Sequence, residues 1–271
     1  MSRMQNILDK AERDGAVLRI RSLPDQEMAG AVGTIGGVDT TPVVVPEPAL
    51  HAPVRATASH RIDRALVAAH SPDATAARQY RGLCTRIVHA DQSSPAKVMI
   101  VTSPGVGEGK TVTAANLALT LAREYQRPIC LVDANLRSPR LHEMFGLDAV
   151  DATPGLVDVL AGRATLDQAL TLIEPAGVTL LPAGTGAEHP AELLSTPLLR
   201  RTLDQLRTQF DRIVIDTPAV LPVVDMGLLE PLADRIVLVV RAGMTSKASI
   251  HDVMGTLDAQ RLLGVVLNEA A

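Results

Sequence analysis

The chain has 271 residues, of which 46% are hydrophobic, and a formal net charge of −4. This length allows one large α/β domain or two small ones, and the small net charge argues against tight binding of nucleic acid. No apolar run reaches the roughly 18–20 residues of a membrane span, the N-terminus lacks a signal-peptide core, and two cysteines make neither a disulfide framework nor a metal site. The composition therefore predicts a cytoplasmic protein without a membrane span of its own.

The first 58 residues predict a helix followed by a linker. Within residues 1–21, the apolar side chains of Met4, Ile7 and Leu8 share one face of an amphipathic helix. So short a helix is marginal alone, so it either docks on a partner or frays. Residues 22–58 are rich in Gly and Pro and keep neither a strand period nor a helix period, which indicates a flexible linker. Basic and acidic residues are nearly balanced here, so we expect no polybasic membrane anchor.

Residues 59–271 predict one α/β domain. Short apolar runs alternate with helical patterns, an order typical of a mostly parallel sheet between two layers of helices. We expect strands at 98–101, 129–133, 178–181, 212–216, 235–240 and 264–267, and helices at 61–90 (in two pieces), 111–124, 155–161, 190–210 and 246–262. Ligands of such sheets bind at the edge where the parallel strands end.

A glycine-rich stretch at residues 103–112 joins the strand at 98–101 to the helix that follows. Strand, glycine loop and a Gly-Lys-Thr helix start are the context of a phosphate-binding loop, in which backbone N–H groups and the helix N-terminus face the phosphates. An ordinary glycine turn before a Lys-Thr pair is the alternative. Lys110 would reach the outer phosphates, and the Thr111 hydroxyl would help to hold Mg²⁺. The candidate nucleotide-binding residues of the loop are Gly105, Gly107, Glu108, Gly109, Lys110, Thr111 and Val112.

Two carboxylates end later apolar runs. Asp133 closes the strand at 129–133, and Asp216 closes Arg-Ile-Val-Ile-Asp, which has the form of a Walker B aspartate. Either one alone is most simply a solvated acid at the end of a strand. Together with the phosphate loop, they predict a site for ATP and Mg²⁺, because Mg²⁺ requires hard oxygen ligands.

These motifs have relatives in a known family. Residues 133–139 (Asp-Ala-Asn-Leu-Arg-Ser-Pro) resemble the Asp-x-Asp-x-Arg motif of the bacterial tyrosine kinases of capsule and exopolysaccharide synthesis, a branch of the P-loop NTPases. Residues 216–219 (Asp-Thr-Pro-Ala) resemble that family's Asp-x-Pro-Pro, and 103–111 resemble its phosphate loop. Asp225 and Asp234 also match the pattern of this family. The opening of the chain is similar to that of the tyrosine autokinases encoded in exopolysaccharide loci.

The resemblance implies a P-loop fold that transfers the γ-phosphate of ATP to protein tyrosine. It also implies a membrane-embedded chain-length regulator (polysaccharide co-polymerase) as partner, recruitment from the cytoplasm to the inner face of the membrane, and a homo-oligomer. Carried over by position, the catalytic residues are Lys110, Asp133 and Asp216, and the metal ligands are Thr111, Asp133 and Asp216. Asp133 would assist the metal or accept the tyrosine proton, and Asp216 would position the metal through water. Arg137 would contact phosphates or a neighbouring subunit.

The sequence departs from the family's pattern at several points. Asn135 replaces the second aspartate, so it offers Mg²⁺ only a weak amide oxygen. Arg78, Arg81 and Cys84 stand where the family has Glu-x-x-Arg-x-x-Arg, which puts ring formation through this helix in doubt. The family's tyrosine-rich tail has no counterpart in this sequence, and Gly105 stands where partitioning ATPases carry a subunit-bridging lysine.

Three functions remain open from the sequence. The first is a competent tyrosine kinase of polysaccharide assembly. The second is a catalytically weakened ATP-binding regulator of the export complex. The third is a positioning ATPase of the partitioning type, which shares the fold.

Overall fold

A computed structural model describes the chain at residues 54–57, 62–90, 96–147, 154–174, 176–184, 187–221 and 225–269. The predicted helix in residues 1–21 and most of the predicted linker at 22–58 lie outside these described residues. No helix among the described residues is long and apolar enough to cross a membrane.

The described strands form one eight-stranded sheet in the order β1-β4-β5-β3-β6-β2-β7-β8. The six strands β5, β3, β6, β2, β7 and β8 are all parallel to one another. β4 is antiparallel to β5 and parallel to β1. The strands are β1 (Val54–Thr57), β2 (Val98–Thr102), β3 (Ile129–Asp133), β4 (Thr171–Glu174), β5 (Val178–Leu181), β6 (Arg212–Asp216), β7 (Arg235–Arg241) and β8 (Leu262–Asn268). The predicted mostly parallel α/β fold is confirmed.

Both faces of the sheet are buried. In β2, Val98 and Ile100 belong to one apolar cluster, whereas Met99 and Val101 belong to the other. Alternating side chains point to opposite faces of a strand, so the two clusters lie on opposite sides of the sheet. This is the three-layer arrangement that the continuous apolar strands predict.

The helices follow the predicted order with local differences. They are α1 (Val67–His70), α2 (Thr75–Ala90), α3 (Lys110–Tyr125), α4 (Leu141–Met144), α5 (Leu156–Leu160), α6 (Leu166–Ala169), α7 (Pro190–Leu194), α8 (Pro197–Gln209), α9 (Asp225–Leu229) and α10 (Lys247–Thr256), with a 3₁₀ turn at Glu230–Leu232. The single helix expected at 190–210 is divided before Pro197, because proline has no N–H to continue a helix and is favoured at its first turn. The helix expected at 246–262 ends at Thr256, since β8 already begins at Leu262.

Two short strands, β1 and β4, were not predicted. β1 lies at the end of the stretch assigned to the linker, so the sheet begins before residue 59. β4 pairs with β5 as an antiparallel neighbour after the short turn around Gly177, which has φ +70°. β1 (Val-Arg-Ala-Thr) and β4 (Thr-Leu-Ile-Glu) each have four residues, some of them polar, so neither has the continuous apolar run that marks the central strands.

One face of α2 packs against α3. Cys84 is 1% exposed and its Sγ lies 3.9 Å from the carbonyl oxygen of Leu117. Of the three positions that replace the family's charged triplet, this one therefore faces the core. Arg81 lies nearer the surface, 3.9 Å from Glu124.

Candidate nucleotide site

The phosphate loop leaves the central strand β2 and enters α3. Gly107 and Gly109 have φ of +82° and +93°, a conformation that favours glycine. A Cβ built on Gly109 would lie 2.1 Å from Nδ2 of Asn268, so a larger residue here would displace the Asn268 side chain as well as strain the backbone. The structure thus shapes the loop as predicted, with Lys110 and Thr111 in the first turn of α3.

Lys110 is only 7% exposed, and Glu108 only 4%. Val112 is partly buried against the cluster between α3 and the sheet, so a nucleotide would meet its backbone N–H rather than its side chain. Gly105 donates its N–H to Oε2 of Glu108 at 3.0 Å, which closes the loop on itself.

The hydroxyl of Thr111 donates to Oδ2 of Asp216 at 2.7 Å. Asp216 ends β6, the strand beside β2, and is fully buried. Its other oxygen, Oδ1, is buried and has no hydrogen-bond partner among the described residues. A buried carboxylate oxygen without a partner is costly in a purely structural site.

Asp133 is the direct neighbour of Asp216 across β3 and β6, since the two residues are register partners. Its Oδ1 accepts the N–H of Asn135 at 3.2 Å, and its Oδ2 accepts the N–H groups of Arg140 and Leu141 at 3.2 and 3.1 Å. Asp133 therefore fixes the loop that follows its own strand, in addition to facing the site.

The pKa values of both carboxylates are raised. Burial raises the pKa of Asp133 to about 6, against the opposing effects of its backbone hydrogen bonds and of Lys110. Burial, and then the charge of Asp133, raise the pKa of Asp216 well above its usual range, while Thr111 and Lys110 act in the other direction. A cation between such a pair would favour their ionised forms.

The donor set suits Mg²⁺. The Thr111 hydroxyl and the two aspartates supply hard oxygen atoms, and Oδ1 of Asp216 is available as an acceptor. Among the described residues, no group of three or more His, Cys, Asp and Glu side chains could hold a metal by itself. Phosphate and water oxygens would have to complete the coordination, as is usual for Mg²⁺.

The loop after β3 holds the two remaining predicted residues. Asn135 is 7% exposed and donates Nδ2 to the carbonyl of Ser138 at 2.9 Å. Arg137 makes a two-point ion pair with Asp225, at 2.8 and 3.0 Å. The Asp225 side chain is 1% exposed. Arg137 thus anchors α9 to this loop, and its contact with phosphate stays a prediction.

Residues from the ends of β7 and β8 also reach the phosphate loop. Arg241, Thr245 and Asn268 contact Gly107 or Glu108. Asn268 is the last residue of β8, and its Nδ2 donates to the Glu108 carbonyl at 3.0 Å. The sequence signal that could have identified Arg241 and Thr245 is their place at the end of a parallel strand.

Comparisons with known proteins agree with this geometry. The family profile described as an AAA domain matches residues 96–262. Tyrosine-protein kinase YwqD of Bacillus subtilis (strain 168) is 33% identical over 218 residues, which cover 79% of this chain and 90% of that protein. Succinoglycan biosynthesis transport protein ExoP of Rhizobium meliloti (strain 1021) is 33% identical over 77% of this chain, but the match covers only 26% of ExoP.

Solved structures give the same result. The kinase domain of VpsO is 34% identical and superposes with a TM-score of 0.66, over 76% of this chain and 95% of that one. The cell-division ATPase MinD of Pyrococcus furiosus, at 29% identity, covers 63% of this chain and 71% of its own with a lower TM-score of 0.54. The phosphate loop, the paired aspartates and these matches together show that the chain belongs to the bacterial tyrosine-kinase family of P-loop proteins.

Proposed function

We propose that this chain binds Mg-ATP and transfers the γ-phosphoryl group to tyrosine of a protein in exopolysaccharide or capsule assembly. One observation carries the proposal. Asp216 and Asp133 are adjacent, buried and ionisable beside Lys110 and Thr111, and one oxygen of Asp216 has no partner among the described residues. The identity of 33% with a protein named as a tyrosine kinase supports the choice of acceptor.

The residues of the site have separate roles in this reaction. Backbone N–H groups from Val106 to Thr111 and the Lys110 ammonium bind the phosphates, because a glycine loop at a helix N-terminus presents its N–H groups to anions. Bound Mg²⁺ would supply charge neutralisation of the phosphates, with Thr111 and Asp216 as its protein-side ligands. Asp133, whose pKa is about 6, is mostly ionised at neutral pH and accepts the tyrosine proton. As the tyrosine oxygen bonds to the γ-phosphorus, the bond from phosphorus to the departing ADP oxygen breaks.

The second candidate function is a weakened ATP-binding regulator. It is favoured by Asn135, whose side-chain N–H is committed to the Ser138 carbonyl. An ionised aspartate cannot make that bond, so the loop is adapted to the amide and not to a third carboxylate. A site with one anion fewer would bind nucleotide and still transfer phosphate slowly, because charge and positioning provide most of the acceleration.

A membrane chain-length regulator is the proposed partner, and the inner face of the membrane is the proposed location. ExoP, which is named as a biosynthesis transport protein, supports the link with polysaccharide export. We further propose that the chain acts as a homo-oligomer.

The test is transfer of labelled γ-phosphate from ATP to a tyrosine-containing acceptor, with and without the membrane partner. Lys110→Ala should abolish nucleotide binding and transfer. Lys97→Ala is the matched control, since Lys97 lies at the opposite end of β2 and donates to the Arg207 carbonyl. Nucleotide binding without any transfer would leave the regulator as the function. No nucleotide binding would refute both, and ATP-dependent binding to lipid or DNA would favour the positioning ATPase.

A further inference from the structure

The ends of β7 and β8 hold the phosphate loop from outside the motif. Nη1 of Arg241 donates to the Gly107 carbonyl at 3.2 Å, and Nδ2 of Asn268 donates to the Glu108 carbonyl at 3.0 Å. Both contacts grip the backbone at the tip of the loop, where the glycines would otherwise leave it free to change shape. We call Arg241, Thr245 and Asn268 the brace.

Thr245 occupies the centre of the brace. Its hydroxyl accepts the N–H of Arg241 at 2.8 Å and donates to Oε1 of Glu108 at 2.6 Å. The other oxygen of Glu108 accepts the Gly105 N–H at 3.0 Å. One chain of hydrogen bonds therefore runs from the end of β7, through Thr245 and a carboxylate that is 4% exposed, into the loop.

Arg241 is itself held in place by Glu269. The Glu269 carboxylate accepts a hydrogen bond from Nε of Arg241 at 2.6 Å. The backbone of Glu269 has a φ of +53°, which is uncommon for a residue other than glycine. The ion pair is half-exposed, with side-chain exposures of 35% and 53%, so its contribution to stability is small. The ion pair orients the Arg241 guanidinium towards the Gly107 carbonyl.

We propose that Thr245 is a positioning residue for the nucleotide. By holding Glu108, and through it the Gly105 N–H, it keeps the phosphate loop in its ligand-binding shape before the nucleotide arrives. Binding to a loop that is already ordered avoids the entropy cost of ordering it. This inference rests on the proposed function only in requiring that nucleotide binds this loop.

The experiment measures the Kd of Mg-ADP by calorimetry for Thr245→Val and Thr245→Ser. Thr245→Val keeps the shape and removes the hydroxyl, so a buried carboxylate oxygen loses its donor, and we expect binding to weaken about tenfold. Thr245→Ser keeps the hydroxyl and should bind within about twofold of the unaltered chain. In the transfer assay, Thr245→Val should raise KM for ATP and leave kcat unchanged, because the contact is the same in the ground state and the transition state.

A double-mutant cycle with Glu108→Ala identifies the partner. If Thr245 acts through Glu108, the variant with both changes should bind ADP no more weakly than Glu108→Ala alone. Additive losses, or a Thr245→Val chain that melts at a lower temperature while its Kd is unchanged, would overturn the proposal. If the unaltered chain binds no ADP, the proposed function fails as well, whereas equal binding by the unaltered chain and Thr245→Val refutes the brace alone.

Discussion

Replacing Asp216 with asparagine should stabilise the nucleotide-free protein while it abolishes function. Burial, and then the charge of Asp133, raise the pKa of Asp216 well above its usual range, so the ionised form is disfavoured in the folded protein. A buried charged group without a hydrogen-bond partner costs about 3 kcal/mol. Asp216 is equally buried, and its Oδ1 has no hydrogen-bond partner among the described residues.

The expected gain in the free energy of unfolding of D216N is smaller than about 3 kcal/mol. An amide at position 216 can still accept from Thr111, but its buried N–H₂ group would take the place of an oxygen that has no hydrogen-bond partner among the described residues, at a cost of about 1 kcal/mol. We therefore expect D216N to raise the free energy of unfolding at pH 7.5 by about 2 kcal/mol, or Tm by about 4–8 °C. Mg-ADP should no longer raise Tm, because the variant lacks the proposed metal ligand.

The pH dependence follows from the raised pKa values. Between pH 3.8 and about 6 the folded protein binds more protons than the unfolded chain, so its stability falls as the pH rises through this window. The pKa of Asp216 is raised in the same direction, so the gain in D216N should be smaller at pH 5 than at pH 7.5. D133N is the matched control. It also removes a charge but sets an N–H₂ against backbone donors, so it should be less stable than D216N by about 1–3 kcal/mol.

Thermal and urea unfolding in the presence of EDTA, at pH 7.5 and pH 5, measure these differences. A D216N chain that is no more stable than the unaltered one at pH 7.5, or a gap that persists at pH 5, would refute the electrostatic reasoning. A D133N chain as stable as D216N would show that the backbone bonds to Asp133 matter little.

Three further predictions concern the same edge of the sheet. Asn135→Asp should raise Mg-dependent turnover about tenfold, which corresponds to an activation barrier lower by about 1.4 kcal/mol. It should also lower the stability of the nucleotide-free chain by about 1 kcal/mol, because the loop loses the donor to the Ser138 carbonyl. Steady-state ATPase assays measure the first effect and unfolding assays the second. Gly109→Ala should strongly weaken nucleotide binding, since a φ of +93° is strained for alanine and its Cβ would displace the Asn268 side chain from the loop. Unchanged ADP affinity would contradict this. Arg137→Ala leaves the buried Asp225 carboxylate unpaired and should cost about 2 kcal/mol of stability, whereas Arg137→Lys should cost less; equal urea midpoints for the two would disprove the ion-pair argument.

The phosphate loop and its strand could be predicted from residues next to one another in the chain. The glycines, the Lys110-Thr111 pair and the apolar run of β2 carry their own local signal, because turn geometry and burial act over a few residues. The same holds for β3 and β6 with their terminal aspartates. The local reasoning failed at β1 and β4, which are short strands away from the centre of the sheet.

The site as a unit was decided by the tertiary structure. Sequence placed Asp133 and Asp216 at strand ends, but only the order β3-β6-β2 makes them register partners beside Thr111. It gave no reason to place Arg137 on Asp225, 88 residues away, or Thr245 on Glu108, 137 residues away. Strand order and register are set by how complete faces of the sheet pack against helices, and no local stretch of sequence contains that information.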